Sequence, residues 1–197
     1  MIPDIEPMLA TTGIPLGGLD GWAAEPKWDG WRARVAVDRG KLTVRTRTGR
    51  VITAAVPELA PLRGHEGRLV LDGELVAGAG RIGDFADLSG RLAGRRRASH
   101  PVVFVAFDLL VHEEPMLDQP YADRRAALVG LELPAVVVSP AYAWDDAPAL
   151  LAACEDSGME GVMLKRLDSP YLPGKRTDAW RKVKCATWGE HARARFA

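Results

Sequence analysis

The chain carries several short runs of apolar and β-branched residues whose length suits strands better than helices. Residues 31–37 and 41–46 form two such runs, and Asp38-Arg39-Gly40 between them predicts a β-hairpin. Residues 102–111 are nearly all apolar, which is typical of a central buried strand. The same patterns predict further strands at residues 69–77, 135–139, 161–165 and 180–185.

Helical segments are predicted between these strands, at residues 84–93, 122–131 and 147–157. Asp145 or Asp146 can cap the third helix, and Gly158 follows its end. Residues 57–63 predict a short helix that Pro61 limits.

The order of these elements indicates the fold class. Three prolines and a Gly17-Gly18 pair predict an irregular lead-in over the first ~20 residues. Strands and helices then mix with hairpin-like connections and no regular βαβ alternation, which favours an α+β fold over a doubly wound parallel sheet. We expect one domain over residues 1–197.

Net charge limits how the chain could contact nucleic acid. The 197 residues include 26 basic and 26 acidic side chains, so the formal net charge is zero. Nucleic-acid-binding proteins are more often basic overall, so any such contact needs a local patch. Candidates are the four arginines within residues 91–97 (Arg91, Arg95, Arg96 and Arg97) and the pair Arg193 and Arg195.

Cysteine and hydrophobicity patterns bear on the compartment. Cys154 and Cys185 form no Cys-x-x-Cys pair, and the four histidines show no metal-ligand spacing. The N-terminus lacks a secretory pattern, and the apolar run around Asp108 is too short to span a bilayer. We therefore expect a reduced, cytoplasmic protein with no membrane partner.

The tetrapeptide Lys27-Trp28-Asp29-Gly30, with Glu25 two residues before the lysine, carries the most chemical information. It places an amine beside a carboxylate and a tight glycine turn. Alone the pattern is weak, because an exposed lysine before an Asp-Gly turn is the commoner situation. A lysine amine attacks only when deprotonated, and nearby cations favour that form; the candidates are Arg32, Lys182 and Lys184.

Four further segments strengthen the signal: residues 72–75 (Asp-Gly-Glu-Leu), 104–109 (Phe-Val-Ala-Phe-Asp-Leu), 160–165 (Glu-Gly-Val-Met-Leu-Lys) and 180–184 (Trp-Arg-Lys-Val-Lys). In this order they resemble the nucleotidyltransferase motifs of ATP-dependent DNA ligases, and particularly the adenylation domains of the bacterial end-joining type. The resemblance runs from about Pro7 to Lys184. It implies two mainly antiparallel β-sheets flanked by helices, with a nucleotide groove between the sheets.

Strand alternation groups several charged side chains. Asp72 and Glu74 point to one face of a strand, and their apolar flanks favour a buried, partnered pair. Lys182 and Lys184 also share a face, which is costly unless an anion such as a triphosphate lies between them. A solvated edge strand protected by lysines is the alternative for the second pair.

The resemblance assigns catalytic roles to four residues. Lys27 would attack the α-phosphorus of ATP and form lysyl-AMP with release of pyrophosphate. Asp29 would orient the lysine or the ribose side of the site, and Lys182 and Lys184 would stabilise the phosphates.

The resemblance also assigns residues to the nucleotide. Glu25 would accept a hydrogen bond from the adenine amino group, Phe107 would lie against the adenine ring, and Met163, or alternatively Val162, would contact the other face. Arg32 and Arg47 would approach the ribose and phosphates. Glu74 and Glu160 would bind the ribose or a metal ion, Mg²⁺ or Mn²⁺.

One segment departs from the family pattern. Residues 45–49 match a ligase segment usually written Ser-Arg-Asn-Gly, in which Arg47 is the arginine. Thr46 keeps the hydroxyl of the serine, but Thr48 lacks the amide of the asparagine, which puts any contact made by that amide in doubt.

The activity implied by the resemblance is transfer of AMP from Lys27 to a DNA 5′-phosphate and sealing of nicked double-stranded DNA. Two alternatives stay open: a nucleotide- or DNA-binding module of the same fold without efficient turnover, and an RNA ligase. By the resemblance, the family carries an OB-fold after its fifth motif, and that OB-fold bears a sixth, basic motif. Only 13 residues follow Lys184, so we expect that domain to be absent and the enzyme incomplete without it. A separate OB-fold domain or other end-joining repair proteins are expected partners of a monomer at the bacterial nucleoid.

Overall fold

The computed structural model describes residues 4–16, 20–77, 84–92 and 101–185. These residues form eleven strands: β1 (Leu9–Thr12), β2 (Trp22–Pro26), β3 (Trp31–Asp38), β4 (Lys41–Thr46), β5 (Arg68–Ala77), β6 (Val102–His112), β7 (Glu114–Pro115), β8 (Val136–Val138), β9 (Tyr142–Ala143), β10 (Gly161–Arg166) and β11 (Arg176–Lys184). They also form helices α1 (Asp84–Leu92), α2 (Tyr121–Gly130) and α3 (Ala147–Asp156). Three short 3₁₀ helices complete the described elements: Thr53–Ala55, Pro57–Gly64 and Trp144–Asp146.

The strands belong to two sheets. The smaller sheet has the order β1-β11-β10-β2-β9, and its pairs are antiparallel except for the parallel pair of β1 with β11. The larger sheet has the order β4-β3-β5-β6-β7, with β8 added in parallel beside β6. The β5–β6 ladder shifts register at Val70/Leu71 and at Asp72/Gly73, which bends the sheet next to the predicted carboxylate pair.

Three apolar clusters hold these layers together. The largest lies between the larger sheet, the 3₁₀ helix Pro57–Gly64 and helices α1 and α2. A second joins α3 to β2 and β10 of the smaller sheet. The third lies between the two sheets and includes Met8, Leu110, Tyr171 and Trp180, so it fixes one sheet against the other. Among the described residues, no helix is long and apolar enough to cross a membrane.

The α+β fold and the two largely antiparallel sheets are confirmed. The hairpin is also present, and its turn is made by Arg39 and Gly40 with φ values of 49° and 80°. Positive φ at both turn positions matches the twist of the flanking strands, which explains why a glycine is needed there.

Several predicted elements need correction. The lead-in is not wholly irregular, because it contains β1, and β2 was not predicted at all. Both strands obtain their backbone partners from β10 or β11 far along the chain. The segment Pro57–Gly64 is a 3₁₀ helix rather than an α-helix. Asp146 is the N-cap of α3 but makes no capping hydrogen bond through its side chain.

The predicted arginine patch is only partly within the described residues. The guanidinium of Arg91 donates to both carboxylate oxygens of Glu58, at 2.7 and 2.6 Å, and to the backbone oxygen of Ala55 at 2.9 Å. These contacts fasten α1 to the 3₁₀ helices, so Arg91 is a structural residue and is not free for a phosphate. Arg95, Arg96, Arg97, Arg193 and Arg195 lie outside the described residues.

Candidate active site

One groove is lined by both sheets and has a volume of about 250 Å³. On the smaller sheet, Glu25 pairs in register with Met163, and Met163 with Lys182. Because side chains two residues apart share a face, the next positions along the same strands bring Lys165 and Trp180 beside this row. All five of these side chains line the groove.

The larger sheet supplies the opposite wall. Arg32 on β3 pairs in register with Glu74 on β5, and both side chains line the groove together with Phe107 from β6. The Phe107 ring is only partly buried and meets Trp180 edge-on, with ring centroids 6.0 Å apart and planes at 80°. The aromatic wall is therefore shared between the two sheets.

Lys27 lies at the end of β2, where its backbone N–H donates to Gly161 at 2.8 Å. Its ammonium forms a short ion pair with Oε2 of Glu160, while the ammonium of Lys184 lies 3.0 Å from Oε1 of the same carboxylate. Burial opposes ionisation of Glu160, but the two lysines lower the pKa of its carboxyl. Glu160 is therefore the anion that lets Lys27 and Lys184 stay close together.

The glycine after Lys27 is required by close packing. A Cβ atom on Gly30 would lie 2.0 Å from the backbone oxygen of Leu75, so any other residue would push the loop away from β5. Asp29 is half-buried and contributes to a raised pKa of the nearby Glu74, but it does not line the groove.

Glu25 and Lys165 form a buried ion pair in the groove, with Nζ of Lys165 2.7 Å from Oε1 of Glu25. The same Oε1 accepts a short hydrogen bond from the hydroxyl of Tyr121, and Lys165 also donates to the backbone oxygen of Phe107 at 3.0 Å. Burial lowers the pKa of Lys165, while Glu25 opposes that change. Sequence reasoning gave no role to Lys165, although its spacing of two from Met163 placed it on the same strand face.

Arg32 is held by a second buried pair. Its Nε and Nη2 donate to the two oxygens of Asp72 at 3.1 and 2.6 Å. The guanidinium carbon lies 5.5 Å from the Phe107 ring centroid and 5.6 Å from that of Trp180. Burial disfavours the charge, but Asp72 more than compensates and raises the pKa of Arg32. Both oxygens of Asp72 are thus occupied by Arg32. Of the predicted pair Asp72 and Glu74, only Glu74 lines the groove.

The groove contains charged groups that a ligand can contact. Lys182 lines the groove, and burial together with repulsion from Lys27 and Lys184 lowers its pKa. Arg47 is exposed and lines the groove beside it. An aromatic wall and several cations fit a polar, anionic ligand with an aromatic part.

The described carboxylates fit a metal ion that arrives with phosphates better than a metal held by protein alone. No cluster of three or more potential metal ligands occurs among the described residues. Both oxygens of Glu160 already contact lysines. Burial raises the pKa of Glu74 to about 8, with Lys27 and Arg32 opposing the rise. Mg²⁺ commonly takes one or two carboxylates plus substrate phosphates, so Glu74 would hold it only after losing its proton and Glu160 only after giving up a lysine contact.

The raised pKa of Glu74 predicts a pH-dependent effect on stability. Its carboxyl is neutral in the folded chain and ionised in the unfolded chain between about pH 4.5 and pH 8. Folding then takes up a proton, so stability falls as pH rises through this window. Glu74→Gln should therefore stabilise the free chain by on the order of 1–3 kcal/mol above pH 8 and have little effect near pH 4.5. Thermal unfolding of both chains at several pH values is the measurement, and a constant difference across this range would contradict the prediction.

The structure brings together most of the residues that the sequence predicted for the site. Those that line the groove are Glu25, Lys27, Arg32, Arg47, Glu74, Phe107, Met163 and Lys182. Glu160 pairs directly with Lys27, and Lys184 pairs with Glu160, whereas Asp29 is not among the residues that line the groove. The chemical roles given to these residues stay predictions.

Comparisons with known proteins find relatives over most of this chain. A family model described as ATP dependent DNA ligase domain matches residues 7–184. A multifunctional non-homologous end joining protein LigD from Mycolicibacterium smegmatis is 36% identical over 186 residues, covering 92% of this chain and 24% of the relative. A probable DNA ligase from Streptomyces griseus is 41% identical over 208 residues, covering 91% and 40%.

A solved structure of mycobacterial DNA ligase D complexed with ATP and MES superposes with a TM-score of 0.75 at 37% identity. The superposition covers 91% of this chain and 60% of that one. The chain spans between about a quarter and two fifths of the length of the two curated relatives.

Proposed function

The chain belongs to the ATP-dependent DNA ligase family, and from this premise we propose that it is an adenylation domain in which Lys27 is the nucleophile. The observation that carries the proposal is the meeting of five separate sequence segments around one groove beside Lys27. The mycobacterial relative that was solved with ATP has the same fold, which supports a nucleotide in this groove.

The groove suggests an orientation for ATP. Phe107 and Met163 come from different sheets and can contact the two faces of the adenine ring, with the Met163 thioether well suited to an aromatic contact. Glu25 lies in the same row as Met163 and can accept from the exocyclic amino group. The triphosphate would then extend towards Lys27, Lys182 and Arg47.

The proposed reaction joins Nζ of Lys27 to the α-phosphorus of ATP and breaks the bond between that phosphorus and the pyrophosphate oxygen. The ammonium of Lys27 must first lose a proton and leave its ion pair with Glu160. Lys182 and Lys184 can stabilise the negative charge that develops on the departing pyrophosphate. A divalent cation, Mg²⁺ or Mn²⁺, would neutralise phosphate charge and make the α-phosphorus more electrophilic.

The second substrate that we propose is nicked double-stranded DNA. AMP would pass from Lys27 to the 5′-phosphate, and the 3′-hydroxyl at the nick would then displace AMP. Arg47 and Arg176 lie at the groove, where they can contact backbone phosphates. We further propose that a monomer acts at the nucleoid, in the cytoplasm, together with a separate OB-fold domain or other end-joining repair proteins.

Intact-mass spectrometry tests the first step directly. Incubation with ATP and Mg²⁺ or Mn²⁺ should add about 329 Da, the mass of an AMP group on lysine, and GTP and NAD⁺ should not react comparably. The adduct should then lose its AMP to a nicked duplex with a 5′-phosphate. A matched nick in RNA distinguishes the RNA ligase alternative. Absence of the adduct with every nucleotide and either metal would contradict the proposed attack by Lys27.

A further inference from the structure

Two buried tyrosines outside the nucleotidyltransferase segments contact the ion pairs of the groove. The Tyr121 hydroxyl donates to Glu25, which pairs with Lys165. The Tyr171 hydroxyl donates to Oδ2 of Asp72 at 2.7 Å, and Asp72 pairs with Arg32. In each case a phenol holds a carboxylate, and the carboxylate holds a cation that lines the groove.

A single arginine packs between the two tyrosines. The guanidinium carbon of Arg124 lies 5.8 Å from both the Tyr121 and the Tyr171 ring centroids. Arg124 is fully buried, and its Nε and Nη2 donate to the two oxygens of Asp108 at 2.7 and 2.9 Å. Its Nη1 donates to the backbone oxygens of two loops, those of Gln119 at 2.6 Å and Ser169 at 3.0 Å.

These contacts fix both rings against movement. Tyr121 is the first residue of α2, and Tyr171 lies two residues after Ser169, so Arg124 ties each tyrosine to the same rigid group. The Tyr171 hydroxyl also accepts from the backbone N–H of Met8 at 2.9 Å, which sets the direction of its own proton towards Asp72. Buried, satisfied networks of this kind hold side chains in one orientation.

We propose that Tyr121 and Tyr171 are positioning residues with separate tasks, and that Tyr121 determines base selectivity whereas Tyr171 determines overall nucleotide affinity. This inference rests on the proposed function, namely that the groove takes ATP. The two tasks follow from the groups that the tyrosines hold, because Tyr121 holds Glu25 directly and Tyr171 holds Arg32 through Asp72.

Base selectivity depends on the orientation of the Glu25 carboxylate. Tyr121 and Lys165 both contact Oε1, so the carboxylate is held by one oxygen and can present Oε2 to the ligand. Adenine offers an amino group at its sixth position, where guanine offers a carbonyl oxygen that a carboxylate repels. A fixed acceptor therefore discriminates between the bases, and a carboxylate that can turn towards Lys165 alone discriminates less.

Overall nucleotide affinity depends on the position of the Arg32 guanidinium. The oxygen of Asp72 that accepts from Tyr171 is also the one that accepts from Nη2 of Arg32. Loss of the phenol lets Asp72 move, and the guanidinium then moves from its place against the Phe107 and Trp180 rings. Arg32 carries a charge that attracts ribose oxygens and phosphates of any nucleotide, so this change should not favour one base over another.

Tyrosine-to-phenylalanine substitutions test the two tasks, because they remove one oxygen and keep the ring. Tyr142, an exposed residue of the edge strand β9, provides the matched control. We expect Tyr121→Phe to reduce the ratio of ATP to GTP affinity by about tenfold or more. Tyr171→Phe should weaken ATP and GTP alike by about tenfold and leave the ratio unchanged, and Tyr142→Phe should change neither.

The measurements are dissociation constants for ATP and GTP by calorimetric titration, with thermal unfolding of each variant in parallel. A lower melting temperature with an unchanged nucleotide ratio for Tyr121→Phe would show that its role is structural and would overturn the inference. A changed ratio for Tyr171→Phe would overturn the division of tasks. If the unsubstituted chain binds neither nucleotide, the proposed function itself fails, which is a different result from binding with unaltered selectivity.

Discussion

Replacement of Lys27 by alanine should abolish covalent attachment of AMP to the chain while the fold stays intact. The side chain is half-buried at the end of a strand, and its ion-pair partner Glu160 keeps Lys184 as a counterion after the substitution. Removal of the amine removes the atom that attacks phosphorus, so we expect a loss of at least about a thousandfold. Labelled ATP with Mg²⁺, followed by denaturing electrophoresis, measures the product.

Two other lysines provide matched controls for this experiment. Lys182→Ala removes a second amine of the same groove and should slow the labelling without eliminating it, because its proposed role is to stabilise charge. Lys175→Ala removes an exposed amine outside the groove and should have no effect. Equal labelling of Lys27→Ala and the unsubstituted chain would remove Lys27 from the mechanism, and complete loss only in Lys182→Ala would identify that residue as the nucleophile.

Local sequence patterns predicted those parts of the site that depend on short-range geometry. Spacing by two residues placed Lys182 and Lys184 on one strand face. In the structure the ammonium of Lys184 lies 3.0 Å from the Glu160 carboxylate, whereas Lys182 lines the groove. The glycine after Asp29 was expected to form a tight turn. The structure shows why a glycine stands there, because a Cβ atom would clash with the backbone oxygen of Leu75 on the neighbouring strand.

The parts that sequence reasoning missed depend on contacts between distant segments. β1 pairs with β11 at the other end of the chain, and nothing within Leu9–Thr12 indicates such a partner. β2 contains two alanines and a buried glutamate, a composition with weak strand propensity, and it becomes a strand because β10 supplies its hydrogen bonds. Such strand pairings decide which side chains face the groove, and no local sequence pattern predicts them.

The partners of the buried charges also lie far away in sequence and could not be predicted from local patterns. Glu25 was assigned to the nucleotide through the family resemblance, but its partners Lys165 and Tyr121 are 140 and 96 residues away along the chain and share no local pattern with it. A charge at a buried position needs partners, so a search for partners of Glu25 and Asp72 is justified by physics alone. The identity of those partners required the fold.

Replacement of Arg124 by methionine should destabilise the chain by about 3–5 kcal/mol, because it leaves Asp108 fully buried without its counterion. That amount is a large share of the stability of a typical domain. Arg125→Met is the matched control on the same helix. Arg125 is only partly buried and donates to a single backbone oxygen, that of Ser139, so we expect a loss of about 1 kcal/mol or less.

A double substitution separates the cost of an unpaired charge from the loss of packing. Arg124→Met combined with Asp108→Leu removes both charges, so most of the lost stability should return, measured as the free energy of unfolding in urea. Burial raises the pKa of Asp108, so the single variant should also lose less stability at pH 5 than at pH 7.5, where its carboxyl would be charged without Arg124.

Equal destabilisation in the single and double variants would show that Arg124 contributes through packing of the two tyrosine rings and not through its charge. In that case the double variant should still lose nucleotide affinity after its stability is accounted for, because Tyr121 and Tyr171 would no longer be held from one side by a common group.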